Sequence, residues 1–331
     1  MSTQKNENKT VCSIPCNACG SQTVEELSLK DRNGDYLRTI ICKECGLIWS
    51  DPRPTEDQLR EYYASDYRRE YKGVYQPKLK HIYRDAHSAL RRYHFLEEIL
   101  GENKSILDIG SGTGVFVYVL RKLGFNAAGL EPNEGYANYS LGEFHIPVQI
   151  GFIQDIEDST RYDVITLNHV LEHLDDPLGT LQKIASLLKP GGFLAMGVPN
   201  AENIRQDPKN RYHLAHLYTF NPEILAYMGN KAGYNVFKQH IAPFKGNIDL
   251  IFRKTEDSSL RVFTIANNYQ KITAILNKHT NFRHFTSPTP YLKFVQRAVT
   301  VFAEQSAIRK FETGKALVDS IMAEENFLPG K

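Results

Sequence analysis

The sequence predicts an α/β protein with a mostly parallel sheet in the middle, a small cysteine-rich unit in front and a helical C-terminal extension. Three observations predict this organisation. Short apolar runs alternate with helical segments between residues 104 and 255, which is typical of a parallel sheet. All five cysteines precede residue 46. Beyond residue 255 the pattern is that of amphipathic helices, with no strand signal.

Composition and charge exclude several classes of protein. With 331 residues, 41% hydrophobic residues and a net charge of +2, the chain is neither disordered nor fibrous. The small net charge argues against holding nucleic acid by bulk electrostatics. No apolar run approaches the roughly 18 residues of a membrane helix, and Met1–Lys9 is too polar for a signal peptide. We therefore predict a cytoplasmic protein without a membrane span.

The cysteines form two matching CxxCG motifs, made by Cys16, Cys19, Cys42 and Cys45. This spacing lets both sulfurs of a turn face one ion, and an Asn33-Gly34 turn between the motifs predicts a hairpin that joins them. Four thiolates around Zn²⁺ leave no open position, so the zinc-ribbon-like unit would hold a structural ion. Reduced core cysteines or a redox pair are the alternatives, and neither explains the doubled motif. Cys12 is left over as an ordinary thiol or, alternatively, as an exchanged ligand.

The segment after the cysteine motifs is rich in tyrosine and basic residues. Residues 60–94 hold nine Lys/Arg against four Asp/Glu. One interpretation is a lip that grips a phosphate- or sugar-bearing ligand through Arg68, Arg69 and Arg84. The other, which we favour, is an amphipathic helix with half-buried tyrosines and solvated basic residues.

Apolar strands and helices alternate through the central unit. The predicted strands are Ser105–Ile109, Ala127–Leu130, Val148–Ile150, Val164–Leu167, Phe193–Val198, Tyr234–His240 and Ile248–Arg253. The predicted helices are Val115–Leu123, Glu134–Gly142, Pro177–Leu188 and a segment from Asn221 to Lys231, and amphipathic stretches follow near 259–278, 290–304 and 306–323. Lys189-Pro-Gly-Gly192 is predicted to end the third helix, because Gly and Pro do not continue one.

A glycine-rich loop, Leu107-Asp-Ile-Gly110-Ser-Gly112-Thr-Gly114, joins the first central strand to its helix. Glycines there let backbone N–H groups approach a ligand too closely for any Cβ. The third glycine comes one residue too early for the dinucleotide pattern GxGxxG, and the GK[ST] ending of a P-loop is absent. Asp108 would repel a pyrophosphate but suits a cationic amino or sulfonium group. Glu131, at the end of the second strand, suits ribose hydroxyls.

At these residues the sequence resembles class I S-adenosylmethionine (SAM)-dependent methyltransferases, over about residues 95–255. Further motifs that carry the resemblance are Glu131-Pro132, Tyr162-Asp163-Val164-Ile165, His169-Val-Leu-Glu-His-Leu174 and Lys189-Pro-Gly-Gly192. The resemblance implies a Rossmann-like sheet of seven strands with an antiparallel last strand. It assigns to SAM the residues Asp108, Gly110, Gly112, Gly114, Glu131, Pro132, Ile153, Asp155, Asn168 and His169. Adenine would lie between Pro132 and Phe152–Asp155, and Asn168 and His169 would line the reacting methyl.

The front of the chain is similar to methyltransferases that carry an N-terminal zinc unit. Gly46-Leu-Ile-Trp-Ser-Asp-Pro-Arg-Pro54 and Tyr62-Tyr-Ala-Ser-Asp-Tyr67 carry this narrower resemblance. Many such enzymes are associated with deoxysugar, nucleotide-sugar or surface-glycan pathways, which implies a sugar-containing acceptor. The C-methylating members add a second large α/β domain, whereas residues 256–331 read as helices. We therefore expect an oxygen or nitrogen acceptor.

Methyl transfer to a hydroxyl requires removal of a proton, and histidine is the commonest base for that step. Candidate bases follow the fourth and fifth central strands, where open α/β sheets bind ligands. We predict His216 first, then His213, with His169 as a further candidate. Tyr212 and Arg211 are the predicted acceptor contacts. A loop histidine that only bonds to backbone is the alternative reading of His216.

The helical motif beside His169 has a structural interpretation as well. His173 lies one helical turn from His169, where it caps or packs the helix, with Glu172 solvated or paired with an arginine. We favour this interpretation for His173.

Three functions stay open at this point: methylation of a sugar-containing small molecule, methylation of RNA or protein with the zinc unit as recognition module, and SAM binding without catalysis. The predicted domains are a disordered tail (1–11), a zinc-binding unit (12–55), a helical connector (56–100), the methyltransferase domain (101–255) and a helical extension (256–331). The acceptor, the methylated atom, the oligomeric state and the role of the extension are left open.

Overall fold

Two sheets organise the computed structural model, which describes residues 13–54, 56–61, 77–101, 103–157, 159, 161–255 and 265–327. The predicted tail at 1–11, Cys12 and two predicted ligand contacts, Arg68 and Arg69, lie outside these residues. The strands are β1 (Val24–Lys30), β2 (Tyr36–Cys42), β3 (Ile48–Ser50), β4 (Ser105–Ile109), β5 (Asn126–Glu131), β6 (Val148–Ile150), β7 (Tyr162–Asn168), β8 (Leu188–Pro199), β9 (Tyr218–Thr219), β10 (Tyr234–Ile241) and β11 (Asn247–Lys254).

The α-helices fall before, between and after the strands of the larger sheet. They are α1 (Glu56–Glu61), α2 (Leu79–Leu96), α3 (Val115–Lys122), α4 (Glu134–Phe144), α5 (Pro177–Leu187), α6 (Pro222–Lys231), α7 (Asn268–Lys278), α8 (Asn281–Phe285), α9 (Thr289–Ile308) and α10 (Gly314–Glu324). Among the described residues, no helix has both the length and the apolar character needed to cross a membrane.

The larger sheet has seven strands in the order β10-β11-β8-β7-β4-β5-β6. Strand β11 runs antiparallel to both of its neighbours, and the other pairings are parallel. This arrangement confirms the Rossmann-like methyltransferase sheet with an antiparallel last strand. From β4 the chain proceeds outward to β5 and β6, then returns to β7 on the other side of β4. The carboxyl ends of β4 and β7 therefore flank a topological switch point, where ligands bind in open α/β sheets.

Side-chain caps explain where several helices begin. The side-chain oxygens of Asn133, Asp176 and Asn221 accept hydrogen bonds from the first turns of α4, α5 and α6. Proline follows Asp176 and Asn221 at the first helical position, where its missing N–H is not needed. These starts agree with the sequence prediction to within one residue.

One boundary differs from the prediction. Lys189-Pro-Gly-Gly192 begins strand β8 instead of closing a helix, because α5 already ends at Leu187. Leu188 pairs with Tyr162 of β7 before a register shift, so the Gly-rich segment is an irregular strand start. In the connector predicted at 56–100, the described residues contain two α-helices, α1 and α2. The part of that prediction at 62–76 lies outside the described residues.

Two hydrophobic cores lie on opposite faces of the seven-stranded sheet. One contains α5, α6 and the cysteine-rich unit, with Trp49, Leu181 and Leu225 among its buried side chains. The other contains α2, α3 and α10, with Val117 and Leu317 fully buried. The helical extension is thus part of the fold, since α10 covers the same face of the sheet as α2 and α3.

The smaller sheet, β1-β2-β3-β9, joins the cysteine-rich unit to the central domain. Strands β1 and β2 form the predicted antiparallel hairpin. Strand β9 comes from the chain after β8, and pairs with β3 through Ile48 opposite Thr219 and Trp49 opposite Tyr218. The segment that precedes β9 is therefore held between the two sheets.

Candidate functional site

A cavity of about 1,020 Å³ opens at the carboxyl ends of β4, β5, β7 and β8. This volume lies at the upper end of the range for small-molecule sites, so the cavity has room for more than a single compact ligand. The glycine loop and Glu131 line one part of it, and the histidines after β7 line another. The sequence prediction of a ligand site at this edge thus coincides with the described cavity.

The glycine loop closes tightly over β5. Gly110, Gly112 and Gly114 all have φ between 57° and 75°, the left-handed region that favours glycine. A Cβ on Gly110 would lie 2.4 Å from Cγ2 of Val170, so a larger residue would have to displace that side chain as well as adopt a strained backbone conformation. The backbone N–H of Gly112 donates to Oε2 of Glu131 at 2.7 Å. Glu131 is 1% exposed and lines the cavity, and its contact with a ribose stays a prediction.

Asp108 lies beneath this loop and meets a cation that the sequence analysis missed. Its Oδ1 accepts hydrogen bonds from Arg92 of α2 at 2.7 Å and from the Thr166 hydroxyl at 2.5 Å. Arg92 also lies over the Phe116 ring, with its Cζ 3.7 Å from the ring centroid. Arg92, Phe116 and Asn168 line the cavity, whereas Asp108 is buried behind them. The Arg92 guanidinium therefore lies between the Asp108 carboxylate and the cavity.

The loop after β6 forms the opposite wall. Pro132, Phe152 and Ile153 line the cavity, as the prediction for adenine requires. Asp155 is not among the lining residues: its Oδ2 accepts from the Phe152 N–H at 2.9 Å, and Arg60 lies 3.3 Å from its Oδ1. The register of this loop thus presents Ile153 to the cavity and keeps the carboxylate within the loop.

A carboxylate–imidazole pair follows β7. Nδ1 of His169 lies 3.2 Å from Oε1 of Glu172, and Nε2 of His169 lies 3.2 Å from the side-chain nitrogen of Asn247. The His169 side chain is half exposed, within the cavity. Partial desolvation there lowers its pKa, but the hydrogen bond and charge of Glu172 raise it more, so the net shift is upward. His169 also has φ of 52°, an uncommon conformation for a non-glycine residue and one that clusters at functional sites.

Glu172 is not solvated, and no arginine of the described residues pairs with it, which corrects the structural interpretation of this motif. The residue is 1% exposed and lines the cavity. Burial raises the pKa of Glu172, whereas His169 and His173 lower it, and the net pKa is about 2. The carboxylate is therefore ionised at neutral pH and surrounded by imidazoles.

His173, His213 and His216 form one cluster beside Glu172. The ring centroids of His173 and His216 are 4.9 Å apart, and those of His213 and His216 are 3.8 Å apart. Burial and neighbouring imidazoles lower the pKa of His216 to about 2, and burial with the Arg32 charge lowers that of His213 to about 4. Both imidazoles are therefore weak bases. His216 lines the cavity and His213 does not.

The predicted acceptor contacts that the structure describes lie elsewhere. The Arg211 guanidinium contacts Nδ1 of His279 at 2.9 Å, and Tyr212 packs against the core cluster formed with the smaller sheet. Arg84 pairs with the buried Glu304 of α9. None of these three side chains lines the cavity.

The four cysteines of the CxxCG motifs converge on one point. The Sγ atoms of Cys16 and Cys45 are 3.5 Å apart, as are those of Cys19 and Cys42. All four sulfurs lie within 4.8 Å of one another, and three of the residues are buried. A tetrahedral ion with Zn–S bonds of about 2.3 Å separates its sulfurs by about 3.8 Å, so the cluster has the dimensions of a four-thiolate site.

Comparison with known proteins agrees with this geometry. Residues 79–239 match a family model described as a methyltransferase domain. The matched segment, just under half of the chain, is therefore similar to methyltransferase domains.

Two similar curated proteins are ubiquinone biosynthesis O-methyltransferases. That of Shewanella halifaxensis is 29% identical over 123 residues, which cover 34% of this chain and 52% of the relative. That of Proteus mirabilis is 36% identical over 107 residues, covering 29% of this chain and 42% of the relative. The chain thus spans about half the length of the curated relatives it matches.

A similar solved structure is the magnesium protoporphyrin IX methyltransferase of Synechocystis PCC 6803 with bound SAH. It is 13% identical, with a TM-score of 0.48, and the match covers 61% of this chain and all (100%) of that one.

Proposed function

We propose that the protein binds SAM in the described cavity and transfers its methyl group to a hydroxyl of a small-molecule acceptor. One observation carries the proposal. The same cavity is lined by the glycine loop, by Glu131 and by His169, whose orientation is fixed by Glu172. The word O-methyltransferase in the names of the curated relatives supports an oxygen acceptor.

The residues present fit SAM. The ribose hydroxyls would donate to Glu131, whose two oxygens accept from the N–H groups of Gly112 and Asn133 and are oriented by them. The cationic Arg92 would hold the methionine carboxylate. Adenine would lie against Pro132 and Ile153, which line an apolar part of the cavity.

His169 is the histidine whose surroundings suit a general base. Its Nδ1–H donates to Glu172, and this hydrogen bond fixes the tautomer that leaves Nε2 free to accept a proton. The Asn247 amide, which donates to Nε2, marks the direction from which a hydroxyl would approach. His216, our first sequence candidate, also lines the cavity but lies against His173 and His213.

The chemistry is an in-line displacement. The sulfonium of SAM supplies an electrophilic methyl group. The acceptor hydroxyl gives its proton to Nε2 of His169, and its oxygen forms the bond to the methyl carbon. The electrons of the broken carbon–sulfur bond stay on sulfur. The protein holds the acceptor oxygen at contact distance from the methyl carbon and in line with the carbon–sulfur bond. This positioning accounts for a large part of the rate enhancement in such reactions.

For the acceptor we propose a sugar-containing small molecule, nucleotide sugar or surface glycan, as the resemblance of the front of the chain implies. The names of the curated relatives favour a second class, an intermediate of ubiquinone biosynthesis. We also propose that Cys16, Cys19, Cys42 and Cys45 bind one structural Zn²⁺, since their sulfurs lie at the spacing such an ion requires.

SAH formation from SAM tests the proposal. The protein is incubated with SAM and three panels of acceptor: nucleotide sugars, free and lipid-linked glycans, and hydroxylated quinone precursors. Product masses then show which atom gains the methyl. SAH formation above background with one panel is the expected result. SAM binding without SAH formation on any panel, including RNA and protein fractions, would instead support a binding protein.

A further inference from the structure

We propose that Glu172, His173 and His216 form a second, open metal site that holds a divalent first-row cation beside the acceptor hydroxyl. The inference deepens the function proposed above and rests on it. The three side chains each offer one ligand atom, and these atoms lie within 4.8 Å of one another. All three residues line the cavity at the carboxyl edge of the sheet.

The hydrogen bonding of His173 fixes the tautomer that a metal ligand needs. Its Nδ1 lies 2.6 Å from the carbonyl oxygen of Ala215, so Nδ1 carries the proton and donates it. Nε2 is then unprotonated, and it lies 3.9 Å from Oε1 of Glu172. A metal-bound histidine commonly donates its other N–H to a backbone carbonyl in this way, because the bond fixes the ring and raises ligand basicity.

Glu172 provides an independent indication of a missing ligand. Its Oε1 faces Nδ1 of His169, but its Oε2 is buried and has no hydrogen-bond partner among the described residues. Burying an unpaired carboxylate oxygen is costly, and such atoms are rare in folded proteins. A cation held by Oε2 removes that cost. The same carboxylate can then orient His169 with one oxygen and bind the ion with the other.

The donor set indicates the kind of ion. Two imidazoles and one carboxylate are the protein ligands of several catalytic zinc sites, which keep a position open for water or substrate. Hard cations such as Mg²⁺ and Ca²⁺ prefer all-oxygen sites, so they fit less well. This site differs in that respect from the cysteine cluster, whose four thiolates would close the coordination sphere.

An open position here would bind the acceptor hydroxyl. Coordination lowers the pKa of a bound hydroxyl, which makes its oxygen a better nucleophile at neutral pH. The proton goes to His169, the oxygen bonds to the methyl carbon, and the carbon–sulfur electrons stay on sulfur. The bonds that form and break are the same as in the step without metal, and the ion contributes only charge and orientation.

Metal analysis of the full-length protein separates the two sites. We expect two equivalents of Zn²⁺ per chain after equilibration with Zn²⁺ and removal of the excess. Glu172→Gln keeps the side-chain shape and should retain one equivalent, with at least about 100-fold weaker binding at the lost site. His216→Asn should behave in the same way. His213→Asn, which alters a neighbouring imidazole outside the proposed ligand set, and Glu134→Gln on the surface should keep both equivalents.

Cobalt substitution supplies a readout that does not depend on activity or on the stability of one variant. Co²⁺ alone is added to metal-free protein. Thiolate charge-transfer bands and strong ligand-field bands report the cysteine site, and an additional set of weaker ligand-field bands reports an ion with nitrogen and oxygen ligands. The additional weaker bands should disappear in Glu172→Gln and His216→Asn and persist in His213→Asn.

Two results would overturn the inference. The first is one equivalent of Zn²⁺ in the wild type together with only thiolate spectra. The second is equal metal content in the wild type and Glu172→Gln. The function proposed above would survive either result if SAH still forms. Two equivalents with no SAH formation on any acceptor would leave the metal site standing and remove the methyl transfer.

Discussion

Replacing Glu131 with glutamine tests the assignment of the ribose contact. The change removes the charge but keeps the shape of the side chain at the end of β5. In the structure both carboxylate oxygens accept backbone N–H groups, from Gly112 at 2.7 Å and Asn133 at 3.1 Å. An amide offers only one acceptor oxygen, so one of these donors loses its partner.

The expected size of the effect follows from these bonds. A hydrogen bond to a charged group contributes about 1.5–3 kcal/mol and a neutral one about 0.5–1.5 kcal/mol, so each ribose hydroxyl loses about 1–1.5 kcal/mol. Two hydroxyls give about 2–3 kcal/mol, or about a 30- to 140-fold weaker affinity for SAM. The unpaired backbone N–H adds a loss of about 1–3 kcal/mol in the free energy of unfolding.

Calorimetric titration with SAM and SAH measures the affinity, and thermal unfolding monitored by circular dichroism measures the stability. Glu134→Gln is the matched control, because it removes the same charge from an exposed residue in the first turn of α4. Unchanged SAM affinity in a folded Glu131→Gln protein would show that the ribose does not bind there. Equal losses in both variants would point to long-range charge instead of a direct contact.

Three further predictions follow from other parts of the structure. His169→Asn should lower kcat by about 10²- to 10⁴-fold because the proton acceptor is lost. The SAM affinity of this variant should change little. His94→Asn, on the exposed side of α2, is the control, and equal kcat in the His169→Asn and His94→Asn proteins would exclude His169 as the base. Cys45→Ser should lose the thiolate-bound zinc and lower the thermal midpoint, measured by metal analysis and calorimetry, whereas Cys12→Ser should keep the wild-type zinc content and midpoint. A zinc content in Cys45→Ser equal to that of the wild type would refute the four-thiolate site. Asp163→Asn should lower the free energy of unfolding by about 1–3 kcal/mol at neutral pH. Burial raises the pKa of Asp163, but bonds from Lys189 and Ser105 lower it more. Its stabilisation is therefore present at neutral pH and lost as the pH falls through the lowered folded-state value. Denaturant titration of both proteins should show the difference shrinking on acidification, and a difference that grows would contradict this sign.

The sequence predicted the parts of the site that local geometry determines. The glycine loop, Glu131 at a strand end and the capped helix starts depend on neighbours within a few residues. Their identities therefore predict their positions. The cysteine spacing is local in the same sense, because each motif forms one turn and a single hairpin joins the two.

The sequence could not predict contacts between segments far apart in the chain. Arg92 belongs to a helix that looks like a solvated basic connector, yet it reaches Asp108 and enters the cavity. Glu172 lies in a motif for which the sequence predicts a solvated position, but it is buried beside His216 of the 213–217 segment. Arg211 and Tyr212 precede the histidines of that segment but face the helical extension and the smaller sheet.

The segment 213–217 connects the cysteine-rich unit to the cavity that contains His216. The carbonyl of Ala215 accepts from His173 on one side, and the carbonyl of Leu217 accepts from the Ser50 N–H of β3 on the other. The next two residues of the chain pair with β3 as strand β9. A hairpin of this size is marginal on its own, and a bound ion would hold β2 and β3 in place. We therefore expect loss of zinc to displace His216 before it disturbs the glycine loop, which is anchored in the larger sheet. In Cys45→Ser, turnover and acceptor KM should change more than SAM affinity. Equal losses of both would show that the unit supports the whole domain instead of its acceptor side.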